Sequence, residues 1–278
     1  MEVWQVDFYR RPLKDQQGHP LWELLICNAS RSFQYSAFCP QPQANVAWLV
    51  SQFHKAASGK TLPEHIQVFR PQCFGLIEAA SEKLHLSVEP TRRTASLKQW
   101  LQERAQEYPK LAGYTAEPHT PTELDRPPPL PLPEALWGEQ WQFAALPAID
   151  LEEGVIERPI PILEAPQSLL PSQLGLAKTA WVPGVVIYGG RQSMRLASWL
   201  QEQCPMALEV IVGAPNGLIL EAGLVDRWVV ATFEDPEVRA AGAEFERRKA
   251  LSKNLHFLLV QPDNSGVTYS GFWLLHLS

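Results

Sequence analysis

The sequence predicts a mixed α/β protein with two domains, and three observations lead to that prediction. Apolar residues make up 45% of the 278 residues and charged residues 19%, which is enough apolar material for a sizeable core. Strand-like and helix-like stretches alternate along the chain. A proline-rich stretch at residues 116–135 is typical of an extended linker. We therefore predict an N-terminal domain over residues 1–115 and a C-terminal domain over residues 136–278.

Three strand-like stretches open the N-terminal part, namely VWQVDFY, LWELLIC and FQYSAFC. Short polar turns join them, as in an antiparallel meander. Helices and short strands then alternate in the order ANVAWLVSQFHKAA, HIQVF, PQCFGLIEAASEKL, HLSVEP and TASLKQWLQERAQEYP, beginning with a helix. The resulting order, βββαβαβα, is that of ribonuclease-H-like domains, so we expect the N-terminal domain to have that fold.

The C-terminal part is predicted to form a mixed sheet with at least two helices. A strand over residues 140–146 precedes a proline-punctuated acidic stretch that we expect to be rich in loops as far as about residue 178. Helices are predicted over RQSMRLASWLQEQ and DPEVRAAGAEFERRKALS, and strands over PGVVIYGG, LEVIVGAPNGLILEAG (a pair), RWVVATF, LHFLLVQ and GFWLLHL. The last stretch has four consecutive apolar residues, which favours a strand covered on both faces.

Charge and targeting signals limit the function classes. Residues 1–115 hold 13 Lys and Arg against 10 Asp and Glu, whereas residues 116–278 hold 11 against 20. An acidic polymer such as RNA is therefore expected at the N-terminal part. The four cysteines form no CxxC pair, which indicates a reducing compartment and no structural zinc. Because neither a membrane-spanning run nor a signal or transit peptide is recognisable, we expect a cytoplasmic protein.

Motifs for catalysis are missing from the sequence. It contains neither G-x-S-x-G nor H-E-x-x-H, and Gly189-Gly190 lacks the rest of a phosphate-binding motif. A ribonuclease-H-like nuclease needs several carboxylates around Mg²⁺. Only Asp7 and Glu23 lie on the early predicted strands. We predict no catalytic residue, no metal site and no cofactor, and we keep a residual metal-dependent nuclease only as a third hypothesis.

Basic residues beside aromatic residues form the candidate RNA site. Single-stranded RNA is commonly held by Arg and Lys on its phosphates and by aromatic rings on its bases. In the predicted order, the ends of the first, fourth and fifth strands lie close together. The phosphate-binding candidates are Arg10, Arg11, Arg70, Arg92, Arg93 and Lys98, and the stacking candidates are Phe8, Tyr9 and Trp100. The alternative is a set of ordinary solvated arginines, paired with Glu89 or Glu103.

Eight stretches occur in an order that resembles one family: WQVDFYRRP, WELLIC, VFRPQ, PTRRTASLKQWLQER, LPEALWGEQWQFAALP, LILEAGLVDRWVVATF, LHFLLVQ and GFWLL. They resemble the Tab-type family of RNA-binding translation activators of cyanobacteria, algae and plant chloroplasts. The resemblance implies a non-enzymatic protein that binds A/U-rich 5′ untranslated RNA of a photosystem I reaction-centre messenger and promotes its translation. In plants such proteins also serve photosystem II. The resemblance further implies a functional role for the terminal Trp273, Leu274 and Leu275.

Two function classes therefore stay open. The first is an RNA-binding activator of photosystem reaction-centre translation in a cyanobacterial cytoplasm, the counterpart of the chloroplast stroma of plant and algal relatives. The ribosome and photosystem assembly proteins are further partners in this hypothesis. The second is a protein-interaction module or assembly factor built on a degenerate nuclease-like fold. It predicts an exposed apolar patch and no salt-sensitive affinity for RNA. The sequence does not indicate an oligomeric state.

Overall fold

The structure is a computed structural model that describes residues 3–124 and 126–276. It divides the chain into two compact units, residues 1–125 and residues 126–278. The predicted extents of the two domains and of the linker stay predictions. Part of the proline-rich stretch contacts the first unit, because Nη2 of Arg70 donates a hydrogen bond to the carbonyl oxygen of Pro121. Within the described residues, no helix has the length and apolar character to cross a bilayer.

The first unit contains a five-stranded sheet with helices packed against it. Its elements are β1 (Val3–Lys14), β2 (Pro20–Asn28), β3 (Gln34–Pro40), α1 (Val46–Ala57), β4 (His65–Val68), α2 (Pro71–Leu84), β5 (Ser87–Pro90) and α3 (Ala95–Glu107). The sheet order is β3-β2-β1-β4-β5, with an antiparallel meander extended by the parallel strands β4 and β5. This confirms the predicted βββαβαβα order and the ribonuclease-H-like arrangement.

The two faces of this sheet differ in polarity. Side chains alternate along a strand, so Leu24 and Ile26 of β2 pack in the core with α1 and α2, whereas Leu25 and Cys27 pack with α3. The face toward α3 also carries the buried acids Asp7 and Glu23. A buried charge is costly unless it is paired, so this face requires partners for those carboxylates.

The described part of the second unit forms two sheets, not the single mixed sheet that we predicted. Its elements are β6 (Leu130–Pro131), β7 (Gln140–Pro147), β8 (Ile162–Glu164), β9 (Trp181–Tyr188), α4 (Ser193–Gln203), β10 (Pro205–Ile211), β11 (Asn216–Ala222), β12 (Asp226–Phe233), α5 (Pro236–Leu251), β13 (Leu255–Gln261) and β14 (Gly271–His276). The sheet orders are β10-β11-β12-β6 and β7-β9-β13-β14-β8. Periodicity predicts which residues form strands but not which strands pair with one another. The strands β6 and β8 are also too short for a periodic pattern to be recognised.

One core joins the two sheets of the second unit. Leu218 and Leu220 of β11 share a buried cluster with Val185 of β9, Leu258 of β13 and Trp273 of β14. Both helices also contribute to this cluster. Each sheet buries one face in this shared core, and the sheet that contains β14 also buries its other face in a second apolar cluster.

The strand β14 lies inside its sheet, as the apolar run GFWLLHL predicted. It pairs with β13 in antiparallel and with β8 in parallel direction. Trp273 and Leu274 are 0% exposed and Leu275 is 1% exposed. The ring of Trp273 lies over Gly271 so closely that a Cβ there would be 2.5 Å from it. These side chains therefore belong to the core of the second unit.

Trp273→Ala should lower the free energy of unfolding of the second unit by about 3–5 kcal/mol, because it leaves a large cavity in the core. Urea unfolding followed by circular dichroism would measure the loss. Trp181, which is 53% exposed, is the matched control, and Trp181→Ala should have a much smaller effect. Equal losses in both variants would contradict the packing role of Trp273.

A buried histidine makes the stability of the second unit depend on pH. Nε2 of His256 on β13 accepts a hydrogen bond from the backbone N–H of Leu208 at 2.8 Å, so its Nδ1–H faces the carbonyl oxygen of Asn254 at 2.9 Å. Burial lowers the pKa of His256 to about 3. The imidazole is therefore neutral in the folded chain at neutral pH.

The unfolding free energy should fall as the pH drops below the ordinary histidine pKa of 6.5, because the unfolded chain then binds a proton that folded His256 does not bind. The fall is at most about 1.4 kcal/mol per pH unit for this one group and ends near the folded pKa of about 3. Urea unfolding at about pH 7 and about pH 5 should show a smaller difference for His256→Gln than for the native chain. His65→Gln, at an exposed position, should keep the native difference.

Candidate nucleic-acid interface

The strands β1, β4 and β5 bring the candidate residues to one edge of the sheet. The three strands are parallel neighbours, and their pairing ends at Val6, Val68 and Pro90. The three strands are thus neighbours as predicted, but only β4 and β5 end at this edge. β1 does not end at Tyr9, as the stretch VWQVDFY suggested, but continues to Lys14 because its other edge still pairs with β2.

Two of the predicted phosphate-binding arginines are instead buried beneath this edge. Arg11 is 2% exposed and Arg70 is 3% exposed. Nη2 of Arg11 lies 2.7 Å from Oδ2 of Asp7, and its Nε lies 3.0 Å from Oε2 of Glu23. Nε of Arg70 lies 2.8 Å from Oδ1 of Asp7. The main partners of both arginines are therefore carboxylates of the sheet, and their contact with phosphate stays a prediction.

Helix α3 completes this group. Nε and Nη2 of Arg104 donate to Oε1 of Glu23 at 3.0 and 2.5 Å, and the hydroxyl of Tyr108 donates to Oε2 of Glu23 at 2.6 Å. We call Asp7, Arg11, Glu23, Arg70 and Arg104 the ion cluster. Burial by itself would raise the pKa of Asp7, but Arg70 and Arg11 outweigh it and hold that pKa below its usual 3.8.

Sequence reasoning missed the partner of Arg104. We considered Glu89 or Glu103 as partners for the basic residues, but Glu103 pairs with Arg31 at 2.5 Å. Glu23 is 81 positions away from Arg104 in the chain. The only local signal was on β1, where Asp7 and Arg11 are four positions apart and so share one face of the strand.

The ion cluster provides evidence on whether Asp7 and Glu23 could bind the metal ion that a nuclease needs. All four carboxylate oxygens of Asp7 and Glu23 already accept hydrogen bonds from arginine or tyrosine. Among the described residues there is no group of three His, Cys, Asp or Glu side chains that could hold a metal ion. Guanidinium groups thus supply the positive charge that a divalent cation supplies in a metal-dependent nuclease.

The remaining cations lie nearer the surface. Arg10 and Arg93 are exposed, and Arg92 and Lys98 are half-buried. Burial, together with the positive charge of Arg92, lowers the pKa of Lys98 to about 8. Its Nζ lies 5.9 Å from the ring centre of Phe69. Arg92, Arg93 and Lys98 therefore form a surface group at the start of α3, which we call the α3 cation group.

The predicted stacking rings are mostly inside the protein. Phe8 is fully buried, with its ring centre 5.1 Å from that of Trp22 and 5.4 Å from that of Trp48. Trp100 is 9% exposed and packs in the core under α3. Neither ring offers a face to a base, which corrects their predicted role. Tyr9 is half-buried, and the guanidinium of Arg70 lies 4.3 Å from its ring centre.

The excess of basic residues that we counted over residues 1–115 is absent from the first unit, which extends to residue 125. The first unit includes residues 116–125, whose acids bring its totals to 13 basic and 13 acidic residues. Its net charge is zero, so any attraction for a polyanion has to come from local groups and not from the overall field.

Glu23→Gln should destabilise the first unit by about 3 kcal/mol or more, because it leaves three buried or half-buried arginines with Asp7 as the one buried carboxylate of the ion cluster. Urea unfolding would measure the change. The matched control is Glu107→Gln, since Glu107 also pairs with Arg104 but its side chain is 53% exposed; its effect should be much smaller. A Glu23→Gln chain as stable as the native one would show that the ion cluster does not hold α3 to the sheet.

Comparisons with known proteins give two family matches. The family described as RNA-binding protein Tab2/Atab2 N terminal matches residues 3–104, and the one described as RNA-binding protein Tab2/Atab2, C-terminal domain, matches residues 119–276. The Protein TAB2 homolog, chloroplastic, of Arabidopsis thaliana is 33% identical over 283 residues, which cover 99% of this chain and 74% of that protein. The protein of the same name from Zea mays is 33% identical over 278 residues, covering 98% and 70%.

The solved structures that match this chain are only remotely similar to it. The catalytic core domain of HTLV-2 integrase has a TM-score of 0.26 and 16% identity over 39% of this chain and 74% of that one. The catalytic core domain of BIV integrase has a TM-score of 0.27 and 15% identity over 38% and 64%. The fold assignment therefore stands on the strands and helices of the chain itself. The family matches confirm the resemblance carried by the eight sequence stretches, and the chain belongs to the Tab2/Atab2 family of RNA-binding proteins.

Proposed function

We propose that this chain binds A/U-rich single-stranded RNA through the first unit and supports the translation of photosystem reaction-centre messengers without catalysing a reaction. The observation that carries the proposal is the membership of an RNA-binding family over nearly the whole chain. The chloroplastic relatives support a role in photosynthetic cells. For this chain we propose the cytoplasm of a cyanobacterium, with photosystem I and photosystem II as the assemblies served and the ribosome or assembly proteins as further partners.

The α3 cation group supports the phosphate contacts. Arg92 and Arg93 follow β5 directly and precede α3. The side chain of Thr94, at the N-cap of α3, makes no capping hydrogen bond, while Oε1 of Gln5 accepts one from the backbone N–H of Leu97 in the first turn. The N-terminal end of a helix carries a partial positive charge that favours anions. Two arginines and a helix N-terminus thus lie together at the end of the sheet.

The expected affinity is modest. Binding that does not depend on sequence rests on the number of phosphates that are neutralised. The first unit has no net charge, and two of the predicted arginines are buried in the ion cluster. We therefore propose that only a few phosphates are contacted and that log affinity falls with log salt on a correspondingly shallow slope, about 0.7 for each phosphate contacted.

Replacing Arg92 and Arg93 by Ala should weaken binding of an A/U-rich oligonucleotide and reduce the slope of log affinity against log salt by about 1.4, because each lost phosphate contact accounts for about 0.7. Gel-shift titrations at several salt concentrations would measure the slope. The matched control is Arg239→Ala, at an exposed arginine of α5, which should leave the slope unchanged. A G/C-rich oligonucleotide of equal length tests the proposed A/U preference.

Two results would count against the proposal. Absence of binding at micromolar protein would exclude RNA as the direct partner of this chain alone. Unchanged affinity and slope in the Arg92→Ala/Arg93→Ala chain would leave RNA binding intact but exclude the α3 cation group as its phosphate contact.

A second candidate function, docking of a protein partner, is favoured by one surface of the second unit. Leu130 is 58% exposed and Trp137 is 59% exposed. Trp137 lines a cavity of about 390 Å³ whose lining includes the apolar side chains of Leu132, Leu136 and Trp141, and Leu130 directly precedes the lining residue Pro131 in the chain. Co-sedimentation with purified ribosomes, compared between Trp137→Ala and Trp181→Ala, would test this function. Apolar docking should persist at high salt, whereas RNA binding should not.

A further inference from the structure

A polar recess opens beside the ion cluster in the first unit. It has a volume of about 160 Å³, well above the roughly 30 Å³ that one water molecule occupies in the liquid. It is lined by Tyr9, Arg10, Arg11 and Pro12 of β1, Arg70 and Gln72 at the start of α2, and residues 117–120 and 123. The recess therefore has room for an anion with several oxygens.

Two residues that line this recess each have a buried polar atom without a hydrogen-bond partner among the described residues. Arg11 uses Nε and Nη2 for Glu23 and Asp7, but its Nη1 makes no hydrogen bond. Nε2 of His119 is likewise buried and unpaired. A buried polar group without a partner destabilises the fold, and does so more when it is charged. An acceptor placed in the recess would offset this cost.

The surroundings favour hydrogen-bond donation. Burial and the neighbouring Arg11, Arg70 and Arg10 lower the pKa of His119 to about 4, while Asp7 acts in the opposite direction. The imidazole is therefore neutral at neutral pH, and its Nε2 can carry a proton to donate. The ring is held edge-on against Tyr108, with ring centres 5.8 Å apart. The donor position is thus set by packing.

The rim of the recess limits the charge of the anion. Glu117 and Glu123 line it and are exposed, and Glu117 has only a distant partner, Nζ of Lys14 at 3.9 Å. Two carboxylates at the rim disfavour a doubly charged free phosphate. A phosphodiester has one charge and the same acceptor oxygens, so it fits the balance of groups better.

We propose that this recess holds one phosphodiester group of bound RNA, with Nη1 of Arg11 and Nε2 of His119 as donors and Arg10 at its mouth. The inference rests on the proposed function, because it assigns one phosphate contact of the same RNA. It makes the buried Arg11 a ligand contact as well as a member of the ion cluster. It also places this contact apart from the α3 cation group.

The test follows His119 in the full chain by NMR, with and without an A/U-rich oligonucleotide. The pKa of His119 should rise on binding, because a phosphodiester nearby favours the charged imidazole. His119→Phe keeps a ring against Tyr108 but removes Nε2, and it should weaken binding about tenfold with an unchanged salt slope. Arg10→Ala should reduce the slope by about 0.7. Arg239→Ala is again the control, and thermal unfolding would verify that each variant folds.

The outcomes separate this inference from the proposed function. If RNA binds but the pKa of His119 stays constant and His119→Phe binds like the native chain, the recess holds only water and the inference is wrong, while the proposed function stands. If inorganic phosphate raises the pKa of His119 as much as the oligonucleotide does, the assignment to a phosphodiester is wrong. If no RNA binds at all, the proposed function and the inference both fail.

Discussion

The first unit depends on the pairing of two carboxylates that its sheet buries. Asp7 and Glu23 lie on the central strands β1 and β2 and are 0% exposed. Charges in such a place destabilise a fold unless they are paired and hydrogen-bonded. Their partners come from three parts of the chain, because Arg11 belongs to β1, Arg70 precedes α2, and Arg104 belongs to α3. The ion cluster therefore determines how α3 lies on the sheet and how the chain leaves β4.

The pairing of Asp7 and Glu23 with arginines also determines which ligands this edge of the sheet could bind. Guanidinium groups occupy the carboxylate oxygens that would otherwise be open to a cation, which supports a binding function over hydrolysis. The three guanidinium groups have more N–H donors than the two carboxylates have acceptor sites, and Arg11, whose Nη1 has no partner among the described residues, lines the polar recess. Of the other predicted phosphate-binding residues, Arg10 also lines the recess, and Arg92, Arg93 and Lys98 lie at the start of α3. The proposed RNA contact is thus a product of the interactions that stabilise the fold.

The second unit depends on apolar packing. Its two sheets share an apolar core to which β14 contributes Trp273 and Leu275, while Leu274 packs in a second cluster, so the three side chains for which the resemblance implies a functional role are buried. Trp137 is exposed and lines an apolar cavity. A polar recess in one unit and an apolar cavity in the other suit different partners, and this difference is the physical basis for retaining both candidate functions.

The sequence by itself determined the order and type of the main elements, because periodicity and turn residues are local signals. It also determined that β1, β4 and β5 are neighbours, and it carried the family resemblance. Only the tertiary structure decided that Phe8 and Trp100 are buried, that Arg11 and Arg70 serve Asp7, and that the second unit has two sheets. These properties depend on strand pairing and helix packing between residues far apart in the chain, as between Arg104 and Glu23. Such contacts leave no periodic trace in a single sequence.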